Sequence, residues 1–332
     1  MWNKLSDPQV VAARNHGLDR LGALFNGERL DGPFYLSGIN CYTEDDDPNW
    51  SNWLDQSLDF LVNAAGQSQD KLVFRPLCIN YNPHGVHFVD ALMGADVFRL
   101  PDGSWQVHPL SSPIGTLEAP DLDQLPGWQV MKAFARAFVE RNAPSVIFGL
   151  PTIASVLNIA VNLYGQDILA AMYEQPEAAQ HDLLIINDVL CQLHGWYRAN
   201  IPSEQLQCII PDGRCEPVGF GQLCGCTTQL VSQKTYRQFI APLDDALLSL
   251  YPHGGMIHLC GKHTQHIPIW RELASFRAFQ LNDRAAEDLA LYFNGLREDQ
   301  IIYVNPFEGM PVEHILEITG GRRVVIVGNA LQ

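Results

Sequence analysis

The run Gly254-Gly255-Met256-Ile257-His258-Leu259-Cys260-Gly261 carries an imidazole and a thiol two residues apart in a short apolar stretch. On a β-strand alternate side chains share a face, so His258 and Cys260 point the same way. Nitrogen and thiolate sulfur are donors that zinc accepts, but a zinc site needs at least one further protein ligand. Cys224-Gly225-Cys226 ends the preceding apolar run, and either of its thiols can complete the set. The structural alternative is a core histidine that satisfies a backbone group, beside ordinary semi-buried thiols. His263, His266, His84 and His87 are further imidazoles of the same region, read as polar loop residues rather than ligands.

The elements that must position this pair are clearest after residue 255. Met256 to Cys260, Phe276 to Leu281, Ile301 to Val304 and Val324 to Val327 are apolar runs of strand length. Helix-like stretches separate them: Ile267 to Leu273, Ala286 to Phe293 and Val312 to Ile318, the last stopped by Gly320-Gly321. Such alternation implies parallel strands joined by helical crossovers, with Cys260, Asn282, Asn305 and Asn329 near one rim. Four earlier runs also read as strands: Phe34 to Ile39, Leu72 to Leu77, Ser145 to Leu150 and Val218 to Leu223. The fold class is therefore α/β, and eight such units suggest a (β/α)8 TIM-type barrel, in which catalytic groups gather at the C-terminal ends of the strands. Apolar stripes from Leu183 to Tyr197, after Pro176, and from Tyr236 to Leu250, after a capping Ser232, predict two helices packed on the core. Asp45-Asp46-Asp47-Pro48 and the segment from Pro109 to Gly127 read as loops over the barrel mouth.

Composition narrows the function classes. Acidic residues outnumber basic ones 37 to 21, a formal charge of −16, which opposes nucleic acid or an anionic membrane as partner. The 332 residues are 47% hydrophobic and 17% charged, enough for one large core, so residues 1-332 are expected to form a single domain. The chain lacks a signal-like start and a membrane-length apolar run, and its 8 cysteines lack the spacing of a stapled secreted domain. A cytoplasmic protein with reduced thiols is expected.

With His258-Leu-Cys-Gly261 in place, the chain resembles the uroporphyrinogen decarboxylase superfamily, which includes zinc-dependent methyltransferases acting on corrinoid proteins. Gly27-Glu28-Arg29-Leu30-Asp31 looks like the family's early Gly-Glu turn. Leu163-Tyr-Gly165 with Glu174-Gln-Pro-Glu177 looks like its central helix pair, and Ser232 to Pro242 precedes the glycine-rich His-x-Cys strand. In the methyltransferase branch the resemblance implies zinc on this His and Cys and on a further Cys near the last strand, activating a thiol for attack on a corrinoid-bound methyl group. His258 and Cys260 match that pattern, whereas no Cys follows Cys260. Cys224 or Cys226 must then substitute.

The leading expectation is a zinc-dependent methyltransferase-like enzyme that uses His258, Cys260 and Cys224 or Cys226. Its acceptor is a small thiol-type molecule, and its methyl donor is a corrinoid on a partner protein, because no corrinoid-binding domain fits into this chain. One alternative is a decarboxylase of a porphyrinogen or another carboxylate, with His258 donating a proton. The other is a non-catalytic corrinoid- or tetrapyrrole-binding barrel. The decarboxylase branch uses paired arginines in an early loop to hold its polycarboxylate substrate, and the corresponding segment, Gly38 to Trp50, has no Arg and carries Glu44, Asp45, Asp46 and Asp47. Like charges repel. Uroporphyrinogen is accordingly expected to be decarboxylated far more slowly than about one turnover per second, an ordinary enzyme rate, and a direct assay of coproporphyrinogen formation checks this.

Overall fold

The computed structural model describes residues 2–43, 49–151, 154–208 and 214–328. Glu44 to Asp47 and Asn329, singled out above, lie outside them. Among the described residues the strands are β1 (Phe34–Leu36), β2 (Ile39–Thr43), β3 (Val73–Phe74), β4 (Leu77–Tyr81), β5 (Asp96–Arg99), β6 (Trp105–His108), β7 (Val146–Gly149), β8 (Leu206–Gln207), β9 (Gly221–Cys224), β10 (Gly255–Cys260), β11 (Phe276–Asn282), β12 (Ile301–Val304) and β13 (Val324–Val327).

They form a mixed α/β fold around parallel sheets, compatible with a TIM-type barrel. One sheet runs β3-β1-β13-β12-β11-β10-β9 and the other β2-β4-β7-β8, and every pairing in both is parallel. The hairpin β5–β6 is antiparallel and stands apart. Two residues separate β1 from β2, and two separate β3 from β4. Across that interruption Ser37 N–H donates to Phe74 O at 2.9 Å and Ile39 N–H to Pro76 O at 2.8 Å, so neighbouring segments stay bonded as the chain passes from one sheet to the other. At the opposite edges Ala154 bridges Cys224 in parallel, and Ser155 N–H donates to Cys224 O at 2.7 Å.

The four late strands are parallel neighbours, separated by helices including Ile267–Glu272, Leu289–Gly295 and Val312–Thr319, as the alternation predicts. Three early expectations shift. Phe34 to Ile39 and Leu72 to Leu77 each open an interrupted strand, because Ser37-Gly38 and Arg75-Pro76 break the apolar run, and Pro76 has no N–H to give to a ladder. The strand expected at Val218 begins at Gly221, since Gly219 takes a positive φ of 86°. β8 and the hairpin carry too few apolar residues to stand out in sequence. The expected helices are Pro176–Asn200, with Pro at its start, and a segment from Gln233 to Leu248, where Ser232 Oγ caps Thr235 N–H at 3.1 Å. No helix among the described residues is long and apolar enough to cross a membrane.

Strand alternation divides the core in two. Ile257, Leu259, Phe279, Leu281, Ile302 and Val304 face the helices in the larger cluster. Met256, Ala278, Tyr303 and Val325 face the other way and pack with Phe34, Leu36, Cys78 of β4 and Ile147 of β7, so this smaller cluster holds the two sheets together. On that inner face β10 reads Met256, His258, Cys260 and β11 reads Ala278, Gln280, Asn282, turning from apolar to polar toward the C-terminal ends. Trp270, fully buried, packs on Phe279 and Tyr292 and anchors the helix Ile267–Glu272 against β11. Burying a side chain of that size stabilises by about 2 to 3 kcal/mol, which also fixes the loop that follows Cys260.

β9 and β10 approach at two glycines, because a Cβ on Gly255 would lie 1.9 Å from Gly221 O. Gly255→Ala is therefore expected to destabilise the fold by about 2 to 3 kcal/mol, the usual cost of overpacking. In denaturant titrations the midpoint should fall with an unchanged slope.

Candidate metal centre

The register of three strands assembles the site. Cys224 of β9 is the partner of His258 in β10, His258 is the partner of Gln280 in β11, and one step further Cys260 is the partner of Asn282. These pairs stand at the polar end of the inner face. β9 stops at Cys224, Gly225 N–H donates to His258 O at 2.8 Å, and a 3-10 turn, Cys226–Leu230, begins. That turn folds the Cys226 thiol back to 3.5 Å from Cys224 Sγ.

Cys224, Cys226 and His258 offer ligand atoms that all lie within 4.8 Å of one another. Both thiols of the Cys-x-Cys pair therefore accompany His258, where the sequence left a choice between them. Cys260 Sγ lies 3.2 Å from His258 Nε2. Bond lengths of 2.3 Å to sulfur and 2.0 Å to nitrogen put tetrahedral zinc ligands about 3.6 to 3.8 Å apart, close to both contacts. The donor set, the spacing and the half-burial of all three cysteines fit a zinc ion.

The surrounding polar groups orient these donors. Gln280 Oε1 accepts from His258 Nδ1 and, at 2.6 Å, from Arg214 Nη1, while Gln280 Nε2 donates to Asn305 Oδ1 at 3.1 Å. Held at Nδ1, the imidazole turns Nε2 toward the sulfurs, as in histidine–metal sites where an outer partner orients the ring. Arg214 Nη1 also lies 2.7 Å from Nδ1, where it disfavours a charged imidazole. Amide donors reach two sulfurs, Asn158 Nδ2 to Cys224 Sγ at 3.7 Å and Asn282 Nδ2 to Cys260 Sγ at 3.8 Å. Asn158 Oδ1 accepts from Thr227 N–H at 3.0 Å, pinning the turn that carries Cys226.

His263 and His266 are buried and brace these turns. His263 bonds Cys260 O at 2.6 Å and Thr228 Oγ1 at 2.9 Å, and His266 bonds Thr228 O at 2.9 Å. His84 packs edge-on to Trp105, and His87 bonds Asp90. Asn158, Arg214 and Gln280 were missed in sequence. For Asn158 a signal existed: Val156–Tyr164 is an apolar helix broken only by Asn158 and Asn162, four residues apart.

Hydrogen bonding from the Cys226 thiol lowers Cys260 to about 4 and Cys224 to about 6, with His258 adding to both. Cys226 itself is raised, chiefly because its hydrogen bond to Cys224 favours the thiol form. Burial opposes charge on His258, but the Cys224 and Cys260 thiolates outweigh it and the imidazole is raised. The cluster thus favours the thiolate form of Cys224 and Cys260, the form in which sulfur binds metal.

No family model matches the sequence, and no curated protein matches it. Among solved structures the fold is similar to that of a methyltransferase from Methanosarcina mazei, with a TM-score of 0.64 at 15% identity over 92% of this chain and 90% of that one. At that identity the likeness concerns the fold. Leu163–Gly165 closes the helix Val156–Tyr164 here, and Glu174–Glu177 joins Asp167–Glu174 to Pro176–Asn200.

The thiol ionisations are directly measurable in metal-free protein. Cys41 and Cys191, half-buried like Cys224, are pushed up to about 11 by desolvation. Between pH 7 and 9 the alkylation rate of Cys224 by iodoacetamide should stay flat, while Cys41 and Cys191 should gain about tenfold per pH unit as their thiolate fraction grows. Peptide-resolved mass spectrometry reads all three.

Proposed function

We propose that the chain is a single barrel-shaped enzyme, a zinc-dependent methyltransferase that moves a methyl group between a corrinoid carrier and a small thiol acceptor. The observation that carries this reading is the convergence of Cys224, Cys226, His258 and Cys260 at the C-terminal ends of adjacent parallel strands, where barrel enzymes place their chemistry. Barrel closure is the natural reading of the bonds at Ser37 and Ile39 on one side and at Ala154 on the other, with β8 filling the gap between β7 and β9. Fold similarity to a methyltransferase supports the reaction class, by analogy.

In this reading Cys224, Cys226 and His258 would hold the zinc, with Cys260 Sγ beside them at 3.2 Å from His258 Nε2. When bound, the metal supplies Lewis acidity that stabilises an acceptor thiolate at neutral pH. The protein's own groups do the rest. Gln280 and Arg214 hold the Nδ1 edge of His258 so that Nε2 faces the sulfurs, and Asn158 and Asn282 disperse charge on the sulfurs through N–H···S bonds. Corrinoid is brought by a separate, cytoplasmic partner. The acidic surface, −16 overall, suits a small-molecule acceptor and not a nucleic acid or membrane.

Metal analysis after purification without chelator should find one zinc per chain. Cys224→Ala, Cys226→Ala and His258→Ala should each weaken zinc at least about a hundredfold, since losing only an outer partner costs 10- to 100-fold. Cys260→Ala should retain more zinc than these three, and all four should keep wild-type circular dichroism. Zinc bound equally well by all four variants places the metal elsewhere, and a wild type that stays zinc-free when zinc is supplied overturns the reading.

A further inference from the structure

The helix Val156–Tyr164 links the sulfur cluster to a second group of polar side chains that the reading above leaves unused. Residues four apart on a helix share a face, with Cβ atoms about 6 Å apart, so Asn158 and Asn162 point to the same side. Asn158 touches Cys224 Sγ. One turn on, Asn162 Nδ2 donates to Asp90 Oδ2 at 2.7 Å and lies 3.4 Å from His87 Nδ1. His87 Nδ1 is itself 2.7 Å from Asp90 Oδ2. His87 ends the turn Gly85–His87, which follows the C-terminal end of β4 in the four-stranded parallel sheet, and Cys224 and Cys260 end strands of the seven-stranded one.

Asp90 is fully buried, and its Oδ2 accepts from both neighbours. A carboxylate in that place fixes the imidazole hydrogen on Nδ1 and leaves the lone pair on Nε2. The His87 side chain keeps 11% of its surface exposed, and among the described residues no hydrogen bond engages Nε2. An oriented imidazole with an open nitrogen, backed by a buried acid, is the geometry of a general base. Burial raises the Asp90 carboxyl, and the bonds from His87 and Asn162 offset part of that.

Other titratable groups stand on the packed elements. β6 carries His108, 2.9 Å from Asp96 Oδ2, the turn itself carries His84 against Trp105, and the helix Val156–Tyr164 ends in Tyr164, whose hydroxyl is raised by burial and by Asp182.

We propose that His87 is a catalytic proton acceptor for the incoming thiol, with Asp90 and Asn162 as positioning residues. This rests on the thiol methyl-transfer reading above. The S–H proton passes to Nε2, the sulfur pair forms the S–C bond, and the bond from carbon to the corrinoid breaks with its pair going to the corrinoid. The imidazolium then returns its proton to water.

The test uses zinc-loaded protein, mercaptoethanol as thiol and free methylcobalamin as methyl donor, with His87 assigned in nitrogen-edited imidazole spectra through His87→Gln. Wild-type His87 should show the Nδ1–H tautomer and become imidazolium when mercaptoethanol binds. His87→Gln should keep its zinc, lose about 10²-fold in methylation rate, the usual share of a general base, and lose the rise of rate with pH. Asp90→Asn should abolish the tautomer preference, with a smaller loss of rate. An unchanged rate and pH profile in His87→Gln, or a wild-type His87 that mercaptoethanol leaves neutral, overturns the proposal while the methyltransferase reading stands. A wild type that binds no zinc or transfers no methyl group fails the methyltransferase reading itself, and the His87 proposal falls with it.

Discussion

A side chain at Gly255 would enter the carbonyl of Gly221, and one at Gly254, whose φ is 73°, would enter that of Ser275. Backbone therefore meets backbone where β10 begins, and that approach fixes which residues stand opposite one another further along. Strand registers slip in whole residues, and a slip of one turns every side chain to the other face. With Gly255 opposite Gly221, the third step up places His258 beside Cys224, and across β11 the same row reaches Gln280. The chemistry at the rim is thus set by a steric constraint at the base of the strands, about three residues or 10 Å below it.

The four parallel strands of the C-terminal region were legible because each is a short apolar run between helix-like stretches, and period and length agree there. His258 and Cys260 were legible too, since alternation along a strand needs no tertiary information. Both cysteines of the 224 to 226 segment joining His258 was not legible. Their placement depends on where β9 ends, and a strand end followed by a 3-10 turn has no strong signature in Cys-Gly-Cys-Thr. Arg214 and Gln280 were hidden for another reason. They reach the site from distant parts of the chain, and polar residues on the inner face of a sheet look like interruptions in sequence until the register shows that they lie side by side.

Gathering three sulfurs and an imidazole in a half-buried site is costly without a cation, because like charges oppose one another and burial removes solvation. The protein compensates in part through the Cys226 thiol, which donates toward its neighbours, and through amide donors to Cys224 and Cys260. Gln280, nearly fully buried, spends its oxygen on His258 and Arg214 and its nitrogen on Asn305, so the imidazole is held by a saturated network. A network built this tightly around donor atoms is suited to a fixed ligand geometry and poorly explained as packing alone.

The resemblance implies a zinc-binding cysteine near the last strand, and this chain has none after Cys260. The strand order offers a nearer source of donor atoms. β13 is three strands from β10 in the sheet, so at about 4.8 Å per strand a ligand from its end starts roughly 14 Å from His258 along the wall and must reach across the mouth. Cys224 stands on the adjacent strand, directly opposite His258, and Cys226 reaches the same point through the turn after it. Ligands from one side of the rim leave the far side of the mouth free. The sulfur cluster and the His87–Asp90 pair both meet the helix Val156–Tyr164, so one rigid element sets the spacing between them.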